Sequence, residues 1–144
     1  MDNKITLTFL SISQNEAFAR SVAGLFALQL NPSVADLTDI KTAVSEAVTN
    51  SIVHAYPNVV GEITMECEII ENCLHINIFD KGIGIENLEK AQEPFYTTKL
   101  EEERSGMGFT IMKSFMNSVN IESKKGLGTK IYMVKNLSPI SKEV

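Results

Sequence analysis

The chain reads Asp80-Lys-Gly-Ile-Gly84 directly after a stretch in which Leu74, Ile76 and Ile78 occupy alternate positions. This alternation predicts a half-buried strand over about 73–80, so the glycine-containing turn lies at the end of a strand. Glycines let the backbone approach a ligand closely, and an ionised carboxylate accepts a hydrogen bond from an amino group such as that of adenine. Because Asp-x-Gly also forms ordinary turns, the segment alone leaves a ligand site and a plain turn as alternatives.

Two helices are predicted before this strand. Ser13-Gln-Asn-Glu16 has the form of a capping box, which indicates a helix start. A second start at Ser33 opens a longer helix that runs to about Tyr56 and is ended by Pro57. The apolar residues expected on the core sides are Phe18, Val22, Leu25, Phe26 and Leu30 in the first helix, and Ile40, Val44, Ala47, Val48 and Ile52 in the second.

The other elements complete a sheet with helices on one face. Strands are predicted at Ile5 to Phe9, at 61–70 and in a final hairpin, 119–123 with 129–134, and a third helix at about 108–117. The fold class is therefore α+β, a two-layer sandwich with a mixed or antiparallel sheet of about five strands and three helices on one face. We expect one domain over residues 1–137 and a polar tail at 138–144.

A long glycine-containing segment joins the turn at Asp80 to the third helix. Residues 81–108 include a short helical pattern near 86–92 and a polar stretch from Thr97 to Arg104. Structureless connections of this length are uncommon in compact domains unless they carry function, so this segment is predicted to be a functional loop.

Composition excludes several classes of protein. The 144 residues carry a formal net charge of −5 with no extended basic cluster, which argues against a nucleic-acid-binding surface. No apolar run approaches the ~18 residues of a membrane span. The N-terminus lacks the layout of a signal peptide, which favours a cytoplasmic location. Cys67 and Cys73 fall on opposite faces of a hairpin that turns at Glu71-Asn72, so reduced thiols are expected.

The second helix carries a polar row. Glu46 and Asn50 are four residues apart, so both project from one helix face, about 6 Å apart along the axis. His54 continues the row. A solvated polar stripe and a functional site both fit this pattern.

A second glycine-rich segment, Arg104-Ser-Gly-Met-Gly108, immediately precedes the third helix. A helix N-terminus offers unpaired amides and partial positive charge, glycines allow phosphate oxygens to reach them, and Arg104 adds a fork of donors. A flexible turn leading into a capped helix remains the alternative.

The combination of these segments is more specific than any one of them. An acidic residue and an asparagine on a helix, Asp-x-Gly-x-Gly, Gly-x-Gly before a helix, and Gly128-Thr129 occur in this order. This order resembles the ATP-binding fold shared by DNA gyrase, heat-shock chaperones, histidine kinases and mismatch-repair ATPases, the histidine-kinase-like ATPase fold. The Walker loop and the protein-kinase signature set are both absent from the sequence, in agreement with that resemblance.

Within that superfamily the sequence resembles the sporulation anti-sigma F factor family, the serine kinases of endospore-forming bacteria. The segments that carry the resemblance are Ser13 to Arg20, Ser45-Glu-Ala-Val-Thr-Asn50, Phe95-Tyr-Thr-Thr-Lys99 and Glu103 to Met112, and it extends over about residues 3–137. It departs from the family at Ala55, where the family has glycine, and in the C-terminal tail.

The resemblance implies a role for each matching residue. Glu46 would be the catalytic base, Asn50 would bind Mg²⁺, and Arg104 would stabilise charge on the transferring phosphoryl group of ATP. Asp80 would recognise adenine with support from Thr129. The remaining nucleotide-binding positions, for ATP or ADP, would be Gly82, Gly84, Ser105, Gly106, Met107 and Gly108, with Thr97, Thr98 and Lys99 in a lid over the phosphates.

The resemblance also implies protein partners. Glu16 and Arg20 match positions that contact both a sigma factor and an anti-anti-sigma protein, although an i,i+4 ion pair explains them equally well. The implied function is a partner switch. An ATP-bound homodimer would hold a sporulation sigma factor (sigma F) away from RNA polymerase and would phosphorylate a serine of the anti-anti-sigma protein, without contacting nucleic acid or membrane itself.

Three other functions use some of the same residues. A clamp ATPase of the gyrase type needs a second, transducer domain, for which 144 residues leave no room. A detached histidine-kinase domain would need a phosphoacceptor histidine on a separate hairpin, and neither His54 nor His75 is so placed. A nucleotide-gated binding module without kinase activity stays open, as does a paralogous pair of stress-response partners.

Overall fold

The computed structural model describes residues 2–85, 92 and 108–137. These residues form a five-stranded sheet with the order β1-β2-β3-β5-β4, in which every neighbouring pair is antiparallel. The strands are β1 (Asn3–Leu10), β2 (Glu62–Ile70), β3 (Cys73–Asp80), β4 (Ser118–Lys124) and β5 (Gly128–Asn136). The α+β prediction is therefore confirmed, and its mixed or antiparallel sheet is entirely antiparallel.

Strand register follows from the alternating apolar residues. The β2–β3 turn is Glu71-Asn72, with Ile70 opposite Cys73 and Cys67 opposite Ile76, as expected. Cys67 is buried against the helices, whereas Cys73 is half-buried on the other face, and both thiols are free. The outer face stays more polar because β-strand side chains alternate between the two sides.

In the described ranges, three helices cover the inner face of the sheet: α1 (Gln14–Ala27), α2 (Val34–Asn50) and α3 (Gly108–Phe115). A 3₁₀ turn, Leu28–Leu30, follows α1, and Asn31 then adopts a left-handed conformation that ends it. α2 begins as predicted, because the Ser33 side chain accepts a hydrogen bond of 3.0 Å from the Asp36 amide. It continues after Asn50 as a π-helical turn, Ser51–Ala55.

The capping box predicted at Ser13 does not form. Ser13 has helical φ and ψ angles and makes no side-chain cap hydrogen bond. Glu16, the predicted reciprocal partner, instead accepts a hydrogen bond from Ser45 on α2. Tertiary contact between the two helices therefore replaces the local cap.

The apolar stripe predicted for α1 is also partly wrong. Phe18 and Leu25 are 54% and 67% exposed, whereas Ala19, Ala23 and Phe26 are buried. Because α1 lies close to α2, its contacting side is formed by small residues, and the large side chains face outward. Phe26 alone of the predicted stripe is fully buried, while Val22 and Leu30 are half-buried.

The core lies between the sheet and the three helices. Its largest fully buried side chains include Ile40, Val44, Ile63, Met65, Leu74, Ile76, Met112, Ile131 and Met133. The core residues predicted on α2 are thus confirmed, except that Ile52 is only half-buried. Within the described part of the chain, no helix is both long and apolar enough to cross a membrane.

Candidate nucleotide site at the end of strand β3

The carboxylate of Asp80 is the centre of a buried hydrogen-bond network. Its Oδ1 accepts from the backbone amides of Gly82 at 2.9 Å and Thr129 at 3.2 Å. Its Oδ2 accepts from the hydroxyl of Ser51 at 2.8 Å. Asp80 and Thr129 are each only 6% exposed and Ser51 1%. A buried carboxylate with donors that fix both oxygens is pre-oriented, and it can accept one further hydrogen bond from a ligand.

The predicted glycines allow the backbone segments around Asp80 to approach each other. A Cβ atom at Gly82 would lie 2.3 Å from the Ala55 carbonyl oxygen, and one at Gly84 would lie 2.0 Å from that of Lys124. Gly84 and Gly128 also have positive φ angles, of 76° and 96°. These positions therefore exclude larger residues for steric and conformational reasons.

Thr129 and Ser123 form the opposite side of this network. Their hydroxyl oxygens are 2.7 Å apart, and Ser123 Oγ also accepts a hydrogen bond of 2.8 Å from the amide of Ile85. A hollow of about 590 Å³ at this end of the sheet reaches Asp80 and Thr129, but it extends over the outer face of the sheet, where it is lined by Phe79, Glu122 and Lys130.

The π-helical turn connects α2 to the Asp80 turn. The amide of Tyr56 bonds the carbonyl of Ser51, five residues earlier, at 3.3 Å. The Ala55 carbonyl accepts a hydrogen bond of 3.1 Å from the amide of Ile83. π-helical turns are rare and are found mainly at functional sites. Here the turn directs Ser51 towards Asp80 and ties the end of the helix to the glycine segment.

Tyr56 provides a second connection. Its hydroxyl donates to the Glu62 carbonyl at 2.7 Å and accepts from the Lys81 amide at 2.9 Å. Desolvation by burial raises the pKa of this hydroxyl, so it stays protonated and able to donate at physiological pH.

Glu46 and Asn50 lie on the last two turns of α2, and both are half-buried. Asn50 directly precedes Ser51, so α2 brings it to the Asp80 network. Among the described residues, the Asn50 side-chain amide has no hydrogen-bond partner. Its oxygen is consequently available to a ligand or a cation.

Part of the predicted site falls outside the described residues. The positions concerned are Thr97, Thr98, Lys99, Arg104, Ser105, Gly106 and Met107, together with most of the helical pattern predicted near 86–92. Gly108 is described, is buried and begins α3, as the prediction of a glycine at a helix N-terminus requires.

Glu16 and Arg20 lie on α1, away from the Asp80 network along the chain but in contact with α2. They form an i,i+4 ion pair in which Arg20 Nε is 3.3 Å from Glu16 Oε2. The ion pair predicted as one explanation of these residues is therefore present.

Sequence reasoning missed Ser51, Ser123 and Tyr56. All three act through hydrogen bonds to residues at least 25 positions away or across the β4–β5 hairpin. Of the three, Ser51 would have been the easiest to identify from the sequence, because it directly follows Asn50.

Comparison with known proteins identifies the family to which the chain belongs. Residues 12–135 match the family described as Histidine kinase-like ATPase domain. The chain is 54% identical to the anti-sigma F factor of Caldanaerobacter subterraneus subsp. tengcongensis, over 93% of this chain and 94% of the relative. It is 52% identical to the anti-sigma F factor of Clostridium acetobutylicum, over 97% of this chain and 98% of the relative.

Solved structures share the fold at low identity. The structure of the RsbU and RsbW domains of a Mycobacterium tuberculosis protein superposes with a TM-score of 0.71 at 16% identity, over 99% of this chain and 34% of that one. Full-length ShkA in complex with AMPPNP superposes with a TM-score of 0.59 at 17% identity, over 88% of this chain and 31% of that one. The fold, the Asp80 network and these relatives agree. The chain belongs to the histidine kinase-like ATPase domain family and, within it, to the anti-sigma F factors.

Proposed function

We propose that this chain is an anti-sigma factor and protein serine kinase, which binds ATP at the Asp80 network and transfers its terminal phosphoryl group to a serine of a protein partner. The observation that carries the proposal is the buried Asp80 carboxylate, oriented by Ser51 and by the amides of Gly82 and Thr129. A fixed acceptor of this kind fits the amino group of adenine, and the fold family supplies the precedent for nucleotide binding.

In this proposal α2 carries the groups that handle the phosphates. The oxygen of Asn50, without a hydrogen-bond partner among the described residues, fits a hard cation. No group of three or more His, Cys, Asp or Glu in the described ranges is arranged to hold a metal. Asn50 would therefore hold Mg²⁺ jointly with phosphate oxygens and water, and the cation would neutralise charge on those phosphates.

Glu46 is proposed as the general base. It lies one helical turn before Asn50, about 6 Å along the axis, which is close enough to receive the proton of a serine hydroxyl positioned at the terminal phosphate. The amide of Gly108 at the N-terminus of α3 would stabilise phosphate charge. Arg104, Gly106 and the proposed lid residues Thr97, Thr98 and Lys99 would complete the site from outside the described ranges.

The partners follow from the family. The relatives carry the name anti-sigma F factor, which implies a sigma factor as the sequestered partner. We propose that the chain acts as a homodimer, and that its kinase substrate is the anti-anti-sigma protein that displaces the sigma factor. Phosphorylation would then restore sequestration.

The test is incubation of the purified chain with labelled ATP, Mg²⁺ and the anti-anti-sigma protein of the same organism. The chain should place label on a partner serine. Glu46→Gln should lower the transfer rate about 100-fold or more while leaving nucleotide affinity intact. Glu122→Gln, which neutralises an exposed carboxylate on β4, is the matched control and should react normally.

The remaining outcomes identify the alternatives. Unchanged transfer by Glu46→Gln would exclude Glu46 as the base. Tight nucleotide binding without transfer to the partner would identify the chain as a nucleotide-gated binding module.

A further inference from the structure

Three polar side chains lie in one row across strands β3, β5 and β4, at the proposed contact with the base. Asp80 is directly opposite Thr129, and Thr129 is directly opposite Ser123. Directly opposite residues point to the same face of a sheet, which here is the face that carries the core. The row therefore places Thr129 between the Asp80 carboxylate and the Ser123 hydroxyl.

The hydroxyl of Ser123 has three hydrogen-bond neighbours, and their chemistry fixes the direction of each bond. A hydroxyl has one proton to donate and two lone pairs that accept. The Gly128 carbonyl, at 3.0 Å, can only accept, so the proton of Ser123 goes there. The Ile85 amide, at 2.8 Å, can only donate, so it uses one lone pair. The Thr129 hydroxyl, at 2.7 Å, must therefore donate its own proton to the remaining lone pair.

The same accounting applies to the donors around Asp80. The Ser51 hydroxyl and the backbone amides of Gly82 and Thr129 all donate to its carboxylate. These donors and the hydroxyl protons of Ser123 and Thr129 are thus all used within the network. A lone pair of Asp80 Oδ2 and the lone pairs of Thr129 Oγ1 remain for a ligand. The network consequently presents hydrogen-bond acceptors, and no donor of its own, to a bound base.

We propose that Ser123 is a positioning residue for base recognition, which turns the Thr129 proton inward so that Thr129 meets the base as an acceptor. The inference rests on the proposed binding of ATP. Two neighbouring acceptors fit a base edge that brings two donors. The amino group of adenine gives one N–H to Asp80, and the second donor is its other N–H or a water molecule held against the ring. A freely rotating hydroxyl would offer a donor as easily as an acceptor, and would not distinguish adenine from other bases.

The first experiment observes the Thr129 proton directly and needs no nucleotide. Thr129 is only 6% exposed, so NMR of the wild-type chain should show a hydroxyl proton of Thr129 that exchanges slowly with water. Ser123→Ala should abolish the slow exchange, and Ser123→Thr, which keeps the hydroxyl, should preserve it. Ser118→Ala is the matched control, because it removes an exposed hydroxyl from the same strand. Rapid exchange in the wild type would overturn the inference.

The second experiment measures binding of ATP and of purine riboside triphosphate, which lacks the amino group, by displacement of a fluorescent ATP analogue. Ser123→Ala should lower ATP affinity about fivefold, and Ser123→Thr should restore it. If the second donor is the amino hydrogen, Ser123→Ala should leave the affinity for purine riboside triphosphate unchanged. If the second donor is water, the two affinities should fall by the same factor.

The double variant Ser123→Ala with Thr129→Val tests whether Ser123 acts through Thr129. Valine has no hydroxyl to orient, so the double variant should bind ATP no more weakly than Thr129→Val alone. Additive losses, or ATP affinity of Ser123→Ala equal to that of the wild type, would overturn the inference. A lower melting temperature of Ser123→Ala with unchanged ATP affinity would also overturn it, because the hydroxyl would then be merely structural.

Failure of the proposed function gives a different result. If the wild type binds no ATP, the proposed nucleotide site is wrong, while the exchange rates of the Thr129 proton still decide whether Ser123 orients it. If the wild type binds ATP and the Thr129 proton exchanges rapidly, the nucleotide site stands and the role of Ser123 is wrong.

Discussion

The hydroxyl of Ser51 donates a hydrogen bond of 2.8 Å to Oδ2 of Asp80, and both side chains are buried. Ser51 directly follows the helix that carries Glu46 and Asn50, whereas Asp80 ends strand β3. This single bond therefore connects the end of the helix proposed to bind the phosphates with the carboxylate proposed to recognise adenine.

Removing the Ser51 hydroxyl should weaken nucleotide binding without unfolding the protein. We expect Ser51→Ala to lower ATP affinity about 10-fold or more, because a hydrogen bond from a hydroxyl to a charged carboxylate contributes roughly 1.5–3 kcal/mol. Asp80→Asn, which replaces the acceptor, should lower it at least about 100-fold. Titration with a fluorescent ATP analogue measures both. Equal affinities of Ser51→Ala and wild type would show that Asp80 is oriented without Ser51.

Gly128 and Gly126 provide a matched pair of substitutions in the β4–β5 hairpin. Both have positive φ angles, 96° and 83° respectively. A Cβ atom at Gly128 would lie 2.1 Å from the Asp80 carbonyl oxygen, whereas one at Gly126 would meet nothing within 4 Å. We expect Gly126→Ala to cost only the left-handed strain of about 1–2 kcal/mol, while Gly128→Ala also displaces Asp80 and abolishes nucleotide binding. Similar ATP affinities for the two variants would contradict this expectation.

Lys135 should contribute more to stability than an exposed lysine. Its ammonium donates to Asp39 Oδ2 at 3.2 Å and to the Phe115 carbonyl at the end of α3 at 2.6 Å, and its side chain is only 12% exposed. Lys135→Met should lower the free energy of unfolding by about 2 kcal/mol, less than the loss of a fully buried pair because Asp39 stays partly solvated. Lys4→Met removes an exposed pair with Glu66 at 3.8 Å and should cost under about 0.5 kcal/mol. Urea unfolding compares them, and equal losses would refute the role assigned to Lys135.

The two thiols should differ in their reactivity towards a thiol reagent. Burial raises the pKa of the Cys67 thiol to about 12, so it stays protonated in the folded chain, whereas Cys73 is half-buried. We expect one thiol per chain to react with an aromatic disulfide reagent at pH 8, and none in Cys73→Ser. Modification of Cys67 in the native protein would contradict the burial described above.

The raised pKa of Cys67 also determines the direction in which the stability of the fold changes with pH. Below about pH 8.5 the thiol is protonated in both states and contributes no pH dependence. As the pH rises towards 12, only the unfolded chain loses the proton, so stability falls, by up to about 1.4 kcal/mol per pH unit. Urea unfolding at pH 8 and pH 10 should therefore show a smaller fall in Cys67→Ala than in wild type. Identical falls would show that other groups control stability in this range.

Local patterns predicted the elements well because each was determined by nearby residues. The β2–β3 register followed from alternation and a two-residue turn, and the Ser33 cap from its own first helical turn. The Ser13 cap failed because Glu16 bonds a residue 29 positions away. The outward orientation of Phe18 depends on the small residues with which α1 meets α2, which periodicity alone does not reveal.

The residues of the candidate site likewise include some that the sequence predicted and some that it did not. Asp80, Gly84 and Gly128-Thr129 were predictable because they occur in short motifs. The π-helical turn was not, because it depends on the bond from the Ile83 amide to the Ala55 carbonyl. Ser51, Ser123 and Tyr56 likewise act through pairings that only the folded chain creates.

The pairing of β1 with β2 has a consequence for synthesis of the chain. Asn3 lies opposite Ile69 in the sheet and Leu10 opposite Glu62, so the residues of the first strand are synthesised 52 to 66 residues before their partners. At about 5–20 residues per second this delay lasts on the order of 3–12 seconds. During that time Ile5, Leu7 and Phe9 have no sheet to enter, and we expect this strand to be the nascent chain's main binding site for chaperones.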